Sequence, residues 1–146
     1  MKVLISIFGN IPYDNYIKNT NAESEGYYAW ILEAHLSASR LIIKREYHTN
    51  KGRIDLLAKT NNSIYIMELK VLKDGDKEWM SLEQIKYKKY YEWFISEWKD
   101  IYLMWLEFKQ LDKNIHKMYI RKLWGKNVTV YSKKEIMKEI EKGLTS

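Results

Sequence analysis

Between Asn21 and Ser39 apolar residues recur at a helical period, with Tyr28, Ala29, Leu32 and Leu36 on one stripe. That spacing predicts an amphipathic helix over about 22–38. The pattern then changes to short runs rich in β-branched and aromatic residues, predicting strands near 41–48, over 52–57 and from Ile64 to about Lys70. A loop around Asp74-Gly75-Asp76 leads to a helix from about Ser81 to Trp98, in which Tyr87, Tyr91, Phe94 and Trp98 are spaced to pack in the core. Ile101 to Phe108 is nearly unbroken apolar sequence and reads as a central strand. The polar turn Lys109 to Asn114 leads to a strand over Ile115 to Leu123, and Val128 to Tyr131 forms a short edge strand. Ser132-Lys133-Lys134-Glu135 has the form of a capping box opening a final helix with Ile136, Ile140 and Leu144 on its apolar side.

Charges interrupt this pattern where the two middle strands should be most apolar. Thr60-Asn61-Asn62-Ser63 has turn chemistry, so the strands on either side form a hairpin. A tight primed turn on Asn61-Asn62 and a four-residue loop give the same register. Counting outward, Leu57 meets Ile66, Asp55 meets Glu68 and Arg53 meets Lys70, since alternate residues share a face. Two carboxylates directly across an antiparallel pair repel, and half-burial adds a desolvation penalty of roughly a few kcal/mol. A hard divalent cation such as Mg²⁺ or Mn²⁺ reverses the sign of that repulsion. Lys70, two residues beyond Glu68, then points at water or a substrate phosphate, and the implied chemistry is metal-assisted phosphodiester hydrolysis. The plainer alternative is a solvated strand face, with Tyr65, Met67 and Leu69 facing the core.

Glu25 adds a third carboxylate. Projected at about 100° per residue it falls in the middle of the stripe made by Tyr28, Ala29, Leu32 and Leu36, whereas Glu23 and Glu33 fall well off it. A metal-site role explains that position; so does a first-turn acid stabilised by the helix dipole.

Five segments occur in a specific order: Ile11-Pro12-Tyr13, Glu25-Gly26-Tyr27-Tyr28, Gly52-Arg53-Ile54-Asp55, Glu68-Leu69-Lys70-Val71, and Leu82-Glu83-Gln84-Ile85-Lys86 through Lys89-Tyr90. Together they resemble the PD-(D/E)XK nuclease superfamily, and within it the nuclease-like domain found C-terminal to bacterial AAA-ATPase-like proteins. The similarity runs from about Ile11 to about Phe108. It implies an α/β fold with a mixed central β-sheet flanked by helices, the restriction-endonuclease-like core. It further implies that Asp55 and Glu68 bind the metal, with Glu25 and the backbone carbonyl of Leu69 as further ligands. Asp55, Glu68 and Lys70 form the catalytic set, Lys70 activating or orienting the attacking water. Gln84 matches a Gln beside the active site of related nucleases, although an ordinary surface amide is the alternative. Ile54 stands where the superfamily's name has Pro, and Lys88 stands four residues after Gln84 where some relatives have Tyr.

At 146 residues and 46% apolar content, the chain suits one globular domain over 1–146, with 1–20 as a lead-in and 132–146 as the C-terminal helix. A formal net charge of +6 favours a polyanionic partner. Lys51 and Arg53 precede Asp55, and Lys86 and Lys88 are interleaved with Tyr87, Tyr90, Tyr91 and Trp93 beyond it, so all four cations join Gln84 as candidate substrate contacts. Absent cysteine excludes disulfides and thiolate metal sites. His35, His48 and His116 form no His-x-x-x-His pair, which argues against a zinc hydrolase. No run approaches membrane-spanning length, and Val3 to Phe8 has no signal-peptide cleavage pattern, so a cytoplasmic location is expected. The leading expectation is a metal-dependent nuclease acting on DNA ahead of RNA. An ATPase partner, in trans or fused outside this chain, and a homodimer are compatible with it. The competing expectation is a non-catalytic nucleic-acid- or protein-binding module on a nuclease scaffold.

Overall fold

A computed structural model describes residues 25–37, 41–73, 75, 89–109, 114–125, 127, 129–132, 134–135 and 138. Its helix α1 (Glu25–Ser37) is followed by strands β1 (Ile42–Thr49), β2 (Gly52–Lys59) and β3 (Ser63–Leu72), a 3₁₀ helix (Tyr90–Glu97), and strands β4 (Asp100–Lys109), β5 (Asn114–Lys122) and β6 (Thr129–Ser132). The six strands form one sheet in sequence order, every neighbouring pair antiparallel except β3 and β4, which are parallel. The expected α/β architecture with a mixed sheet is therefore what the chain forms. Parallel neighbours need a long crossover, and residues 73–99 supply it, carrying the 3₁₀ helix to the sheet face opposite α1.

Two apolar layers result. Tyr28, Leu32 and Leu36 of α1 pack on Met67, Met104 and Phe108 on one face, and Tyr28 stacks on Phe108 with ring centroids 4.2 Å apart. On the other face Tyr90, Tyr91 and Phe94 cover Ile64, Ile66 and Leu103. β3 is buried on both faces from Ile64 to Leu69, as an apolar run beside a parallel neighbour should be.

The hairpin register matches the expected one, with Leu57 opposite Ile66 and Lys59 opposite Ile64. The four-residue loop is the form adopted: Asn61 and Asn62 are not among the positive-φ residues that a primed turn requires, and Thr60 Oγ1 accepts the N–H groups of Asn62 and Ser63. At the other tip, Gly52 has φ 133, a backbone region open to glycine, and a Cβ there would lie 3.1 Å from the Tyr90 hydroxyl. Trp93 Nε1 donates to Asn50 Oδ1 at 2.9 Å, tying that tip to the 3₁₀ helix.

The helix expected to run from Ser81 to Trp98 differs in its described part. Lys89 is left-handed (φ 53), and from Tyr90 the chain winds as a 3₁₀ helix that ends at left-handed Trp98 (φ 55). With three residues per turn, Tyr91 and Phe94 share the buried side, whereas Trp98 falls off it and is 94% exposed. Trp98 is thus not a core residue, which corrects the helical spacing argument. Residues 81–88, including Tyr87, lie outside the described residues. So do the 1–20 lead-in, the turn 110–113, and all of the final helix except 132, 134, 135 and 138. Its capping box is present: Glu135 Oε2 accepts from Ser132 N and Oγ, both at 2.7 Å, and Glu135 N donates back to Ser132 Oγ at 3.3 Å. Among the described residues no helix is long and apolar enough to cross a membrane.

Candidate functional site

β2 loosens from both neighbours at Asp55. Its ladder with β1 runs from Ile42–Lys59 to Arg45–Leu56 and resumes at Tyr47–Ile54, skipping Glu46 and Asp55; Glu46 is left-handed, with φ 50. Its ladder with β3 ends at Leu56–Met67. The alternation of faces is interrupted at the same place, since Ile54 and Leu57 both belong to the 3₁₀-side core although three residues apart. Counting by twos therefore fails beyond Leu57. Instead of facing Glu68 across a regular ladder, Asp55 turns its Oδ2 to the backbone N–H of Leu69, 3.0 Å away. Arg53 does not meet Lys70. It pairs with His48 of β1, and its guanidinium lies 3.4 Å from Glu46.

Glu68 and Lys70 lie on β3, alternating with Ile64 and Ile66 and so on the 3₁₀ side of the sheet. Glu68 is 8% exposed, whereas the Lys70 side chain is half exposed. Glu25, in the first turn of α1, reaches the same end of β3. Its Oε1 accepts the Val71 N–H at 3.3 Å and lies 4.0 Å from Lys70 Nζ. The helix stripe thus aims Glu25 at the strand carrying Glu68 and Lys70, and two carboxylates and an ammonium are gathered around the backbone of residues 69–71.

A carboxylate that the sequence reading passed over also stands here. Glu107 on β4 is fully buried and is the direct register partner of Lys70, as Trp105 is of Glu68. The indole Nε1 of Trp105 donates to Glu107 Oε1 at 3.2 Å. The signal was present as the one acid in the apolar run Ile101 to Phe108, read only as strand.

Do these residues suit a divalent metal? Asp55, Glu68, Glu25 and the Leu69 carbonyl offer hard oxygen donors, the type Mg²⁺ and Mn²⁺ take. Asp55 and Glu25 each engage one oxygen with backbone N–H groups, leaving the other for a ligand. Among the described residues no three acids or histidines converge tightly enough to enclose an ion. Mg²⁺ is usually held by one or two carboxylates plus waters and substrate phosphate, so this donor set fits it without a closed cage.

Lys51 lies exposed in the β1–β2 turn and Arg53 is exposed at the start of β2, two residues from Asp55. Gln84, Lys86 and Lys88 lie outside the described residues. His35 Nδ1 is bound to the Ile31 carbonyl oxygen at 2.9 Å within α1, a local helical contact.

The model of the PD-(D/E)XK nuclease superfamily matches residues 23–118, which contain Glu25, Asp55, Glu68, Lys70 and Glu107. An uncharacterized protein in the vnfD 5' region of Azotobacter chroococcum mcd 1 is 32% identical over 110 residues, covering 75% of this chain. The match takes in 21% of that relative, so the chain corresponds to about a fifth of its length. No solved structure matches the chain significantly.

Proposed function

Because the chain belongs to the PD-(D/E)XK nuclease superfamily, we propose that it hydrolyses phosphodiester bonds of DNA, ahead of RNA, with Mg²⁺ or Mn²⁺ as cofactor. The observation that carries this reading is that Asp55 bonds the Leu69 N–H and Glu25 bonds the Val71 N–H beside Lys70, on the backbone that directly follows Glu68 in β3. Asp55 and Glu68 would hold the metal, with Glu25 and the Leu69 carbonyl completing its protein ligands. When bound, the ion supplies Lewis-acid polarisation of the phosphodiester and of water.

The remaining work falls to this chain's own groups. Lys70 Nζ orients the attacking water and offsets negative charge that develops on the phosphate oxygens. Glu25, 4.0 Å away, keeps that ammonium at the end of β3. The bond from Leu69 N–H fixes the Asp55 carboxylate, so that it need not reorganise when substrate arrives. Lys51, Arg53, Lys86 and Lys88 would neutralise substrate phosphates, and Gln84 would contact substrate or water beside the site. A cytoplasmic location and an ATPase partner or fused ATPase domain belong to the same proposal. The relative, about five times longer than the matched stretch, is compatible with a module of a larger machine. A homodimer is compatible as well.

The test is cleavage of linear and circular DNA by the purified protein with Mg²⁺ or Mn²⁺, beside Asp55→Asn, Glu68→Gln and Lys70→Met. Loss in all three folded variants is expected, and full cleavage in all three would reject the assignment. Calorimetric titration with Mn²⁺ should show saturable binding that Glu68→Gln loses.

A second reading is a non-catalytic module that binds nucleic acid or protein. It is favoured by one observation: Asp55 and Glu25 both bond backbone N–H groups and, among the described residues, close no three-acid cage. DNA binding that survives chelation of metal, together with absent cleavage, would select it.

A further inference from the structure

Four non-glycine residues among those described have positive φ, and two of them are tryptophans: Trp98 (φ 55) and Trp124 (φ 67). A bulky side chain in this region is unusual, because the left-handed backbone crowds its Cβ. Trp98 occupies the cap position that ends the 3₁₀ helix, its N–H bonded to the Ile95 carbonyl oxygen at 3.3 Å, where glycine is the ordinary choice. Neither indole repays the strain by filling the core. Trp98 is 94% exposed, and Trp124 is 71% exposed with one ring contact among the described residues, edge-on to Tyr91 at 5.5 Å. Strained, exposed aromatic residues of this kind point to a ligand.

Both tryptophans stand near the end of the sheet where β4 begins. Trp98 stands two residues before β4 begins, and Leu123, beside Trp124, donates its N–H to the Ile101 carbonyl oxygen at 2.7 Å. The Tyr91 contact puts Trp124 on the face covered by the 3₁₀ helix, and Trp98 closes that helix. Glu68 and Lys70 use this same face but stand near the far end of β3. Asp100 is level with Ser63, five and seven residues earlier, or about 20 Å away along the strand.

Charge selects the occupant. Lys59, Lys99 and Arg121 lie at this end against one carboxylate, Glu97, while Lys122 and Asp100 pair with each other on the opposite side of the sheet. A positive surplus near two exposed indoles suits a chain of alternating phosphates and bases. We propose that Trp98 and Trp124 form a stacking platform for the bases of single-stranded nucleic acid, which then runs along the 3₁₀-side face toward Glu68 and Lys70. This deepens the nuclease reading and rests on it for the direction of the strand.

The test is titration of the full chain with an oligothymidylate in EDTA at low salt, followed by tryptophan emission and by anisotropy of a labelled oligonucleotide. Wild type should bind saturably with quenched emission. Trp98→Leu with Trp124→Leu, apolar but without π-faces, should weaken binding by about tenfold or more for each ring. Trp98→Phe with Trp124→Phe should keep most of it. Trp98→Gly suits the left-handed backbone and should melt at or above the wild-type temperature, so its loss of binding would not report unfolding.

Unchanged affinity in the leucine variant overturns the platform. So does wild type that ignores oligothymidylate, or sedimentation showing that the indoles instead bring two copies together. The two readings fail separately. Wild type that binds through the indoles but never cleaves keeps the platform and rejects the nuclease, whereas cleavage with binding indifferent to both tryptophans rejects only the platform.

Discussion

Asp55 accepts the backbone N–H of Leu69 through Oδ2 at 3.0 Å, at the point where β2 is skipped by the ladders on both of its sides. Under the proposed function the carboxylate would have two separable duties, closing a backbone donor left by the parted strands and offering an oxygen to metal. Asp55→Asn keeps an acceptor for Leu69 and removes the charge, so it should unfold near the wild-type urea midpoint while cleavage and Mn²⁺ affinity collapse. Asp55→Ala also leaves the N–H unsatisfied and should lose about 1–3 kcal/mol of stability. Parallel urea melts and cleavage assays check both. Wild-type cleavage in the asparagine variant would remove Asp55 from the metal site.

Lys70 and Glu25 should separate activity from stability even more clearly. Their 4.0 Å pair is half exposed at both ends, and such pairs contribute less than about 1 kcal/mol. Lys70→Met is therefore expected to shift the unfolding free energy by less than about 1 kcal/mol while lowering kcat about a hundredfold or more. Glu25→Gln retains an acceptor for Val71 N–H, so it should fold normally and bind Mn²⁺ more weakly in calorimetry. A Lys70→Met enzyme with wild-type kcat would contradict the role given to the ammonium.

Burial makes the neighbouring Glu107 a different case. Its Oε1 takes the Trp105 indole N–H at 3.2 Å in a fully buried setting, where water cannot replace a bond that is lost. Trp105→Phe preserves a large apolar ring but removes the donor. The expected loss is about 1–3 kcal/mol, read from urea unfolding. Glu107→Gln placed on the Trp105→Phe background should cost less than on wild type, because the bond it would weaken is already gone. Strict additivity in that double-mutant cycle would show that the contact carries no coupling.

How far the chain could be read in advance follows from which physical signals are local. The face that α1 buries through Tyr28, Ala29, Leu32 and Leu36 was legible because a 3.6-residue period is set by the backbone itself, and the turn Thr60–Ser63 fixed the Leu57–Ile66 register. The succession of strands along the chain and the Ser132–Glu135 box were legible for the same reason. Three things were not. Left-handed φ at Glu46 and the release of β2 at Asp55 depend on what both neighbouring strands do, which alternation within one strand cannot carry. The 3₁₀ winding after Lys89 inverted the status of Trp98, since its spacing from Tyr91 and Phe94 has meaning only once the residues per turn are known. Glu107 was hidden because an acid in an apolar run reveals its neighbour only through the parallel register with Lys70.

Tyr28 links the helix to the sheet and gives the fold an alkaline limit. It is 1% exposed and stacked on Phe108, and burial, with a smaller contribution from Tyr27, pushes its phenol up to about 12 from the ordinary 10.0. A raised pKa means that the folded chain holds the proton more tightly than the unfolded chain does. The associated stability is therefore complete below about pH 10 and disappears as pH climbs through about 12. Tyr28→Phe keeps the stacked ring and deletes this titration. Its unfolding free energy, followed in urea from pH 8 to about 12, should gain on wild type by an amount on the order of 2 kcal/mol across the upper half of that range. Tyr27, also raised by burial, stays in both proteins, so a shared alkaline slope persists and the difference between the curves reports Tyr28 together with its coupling to Tyr27. Parallel curves over the whole range would mean that the Tyr28 phenol does not resist ionisation in the folded chain.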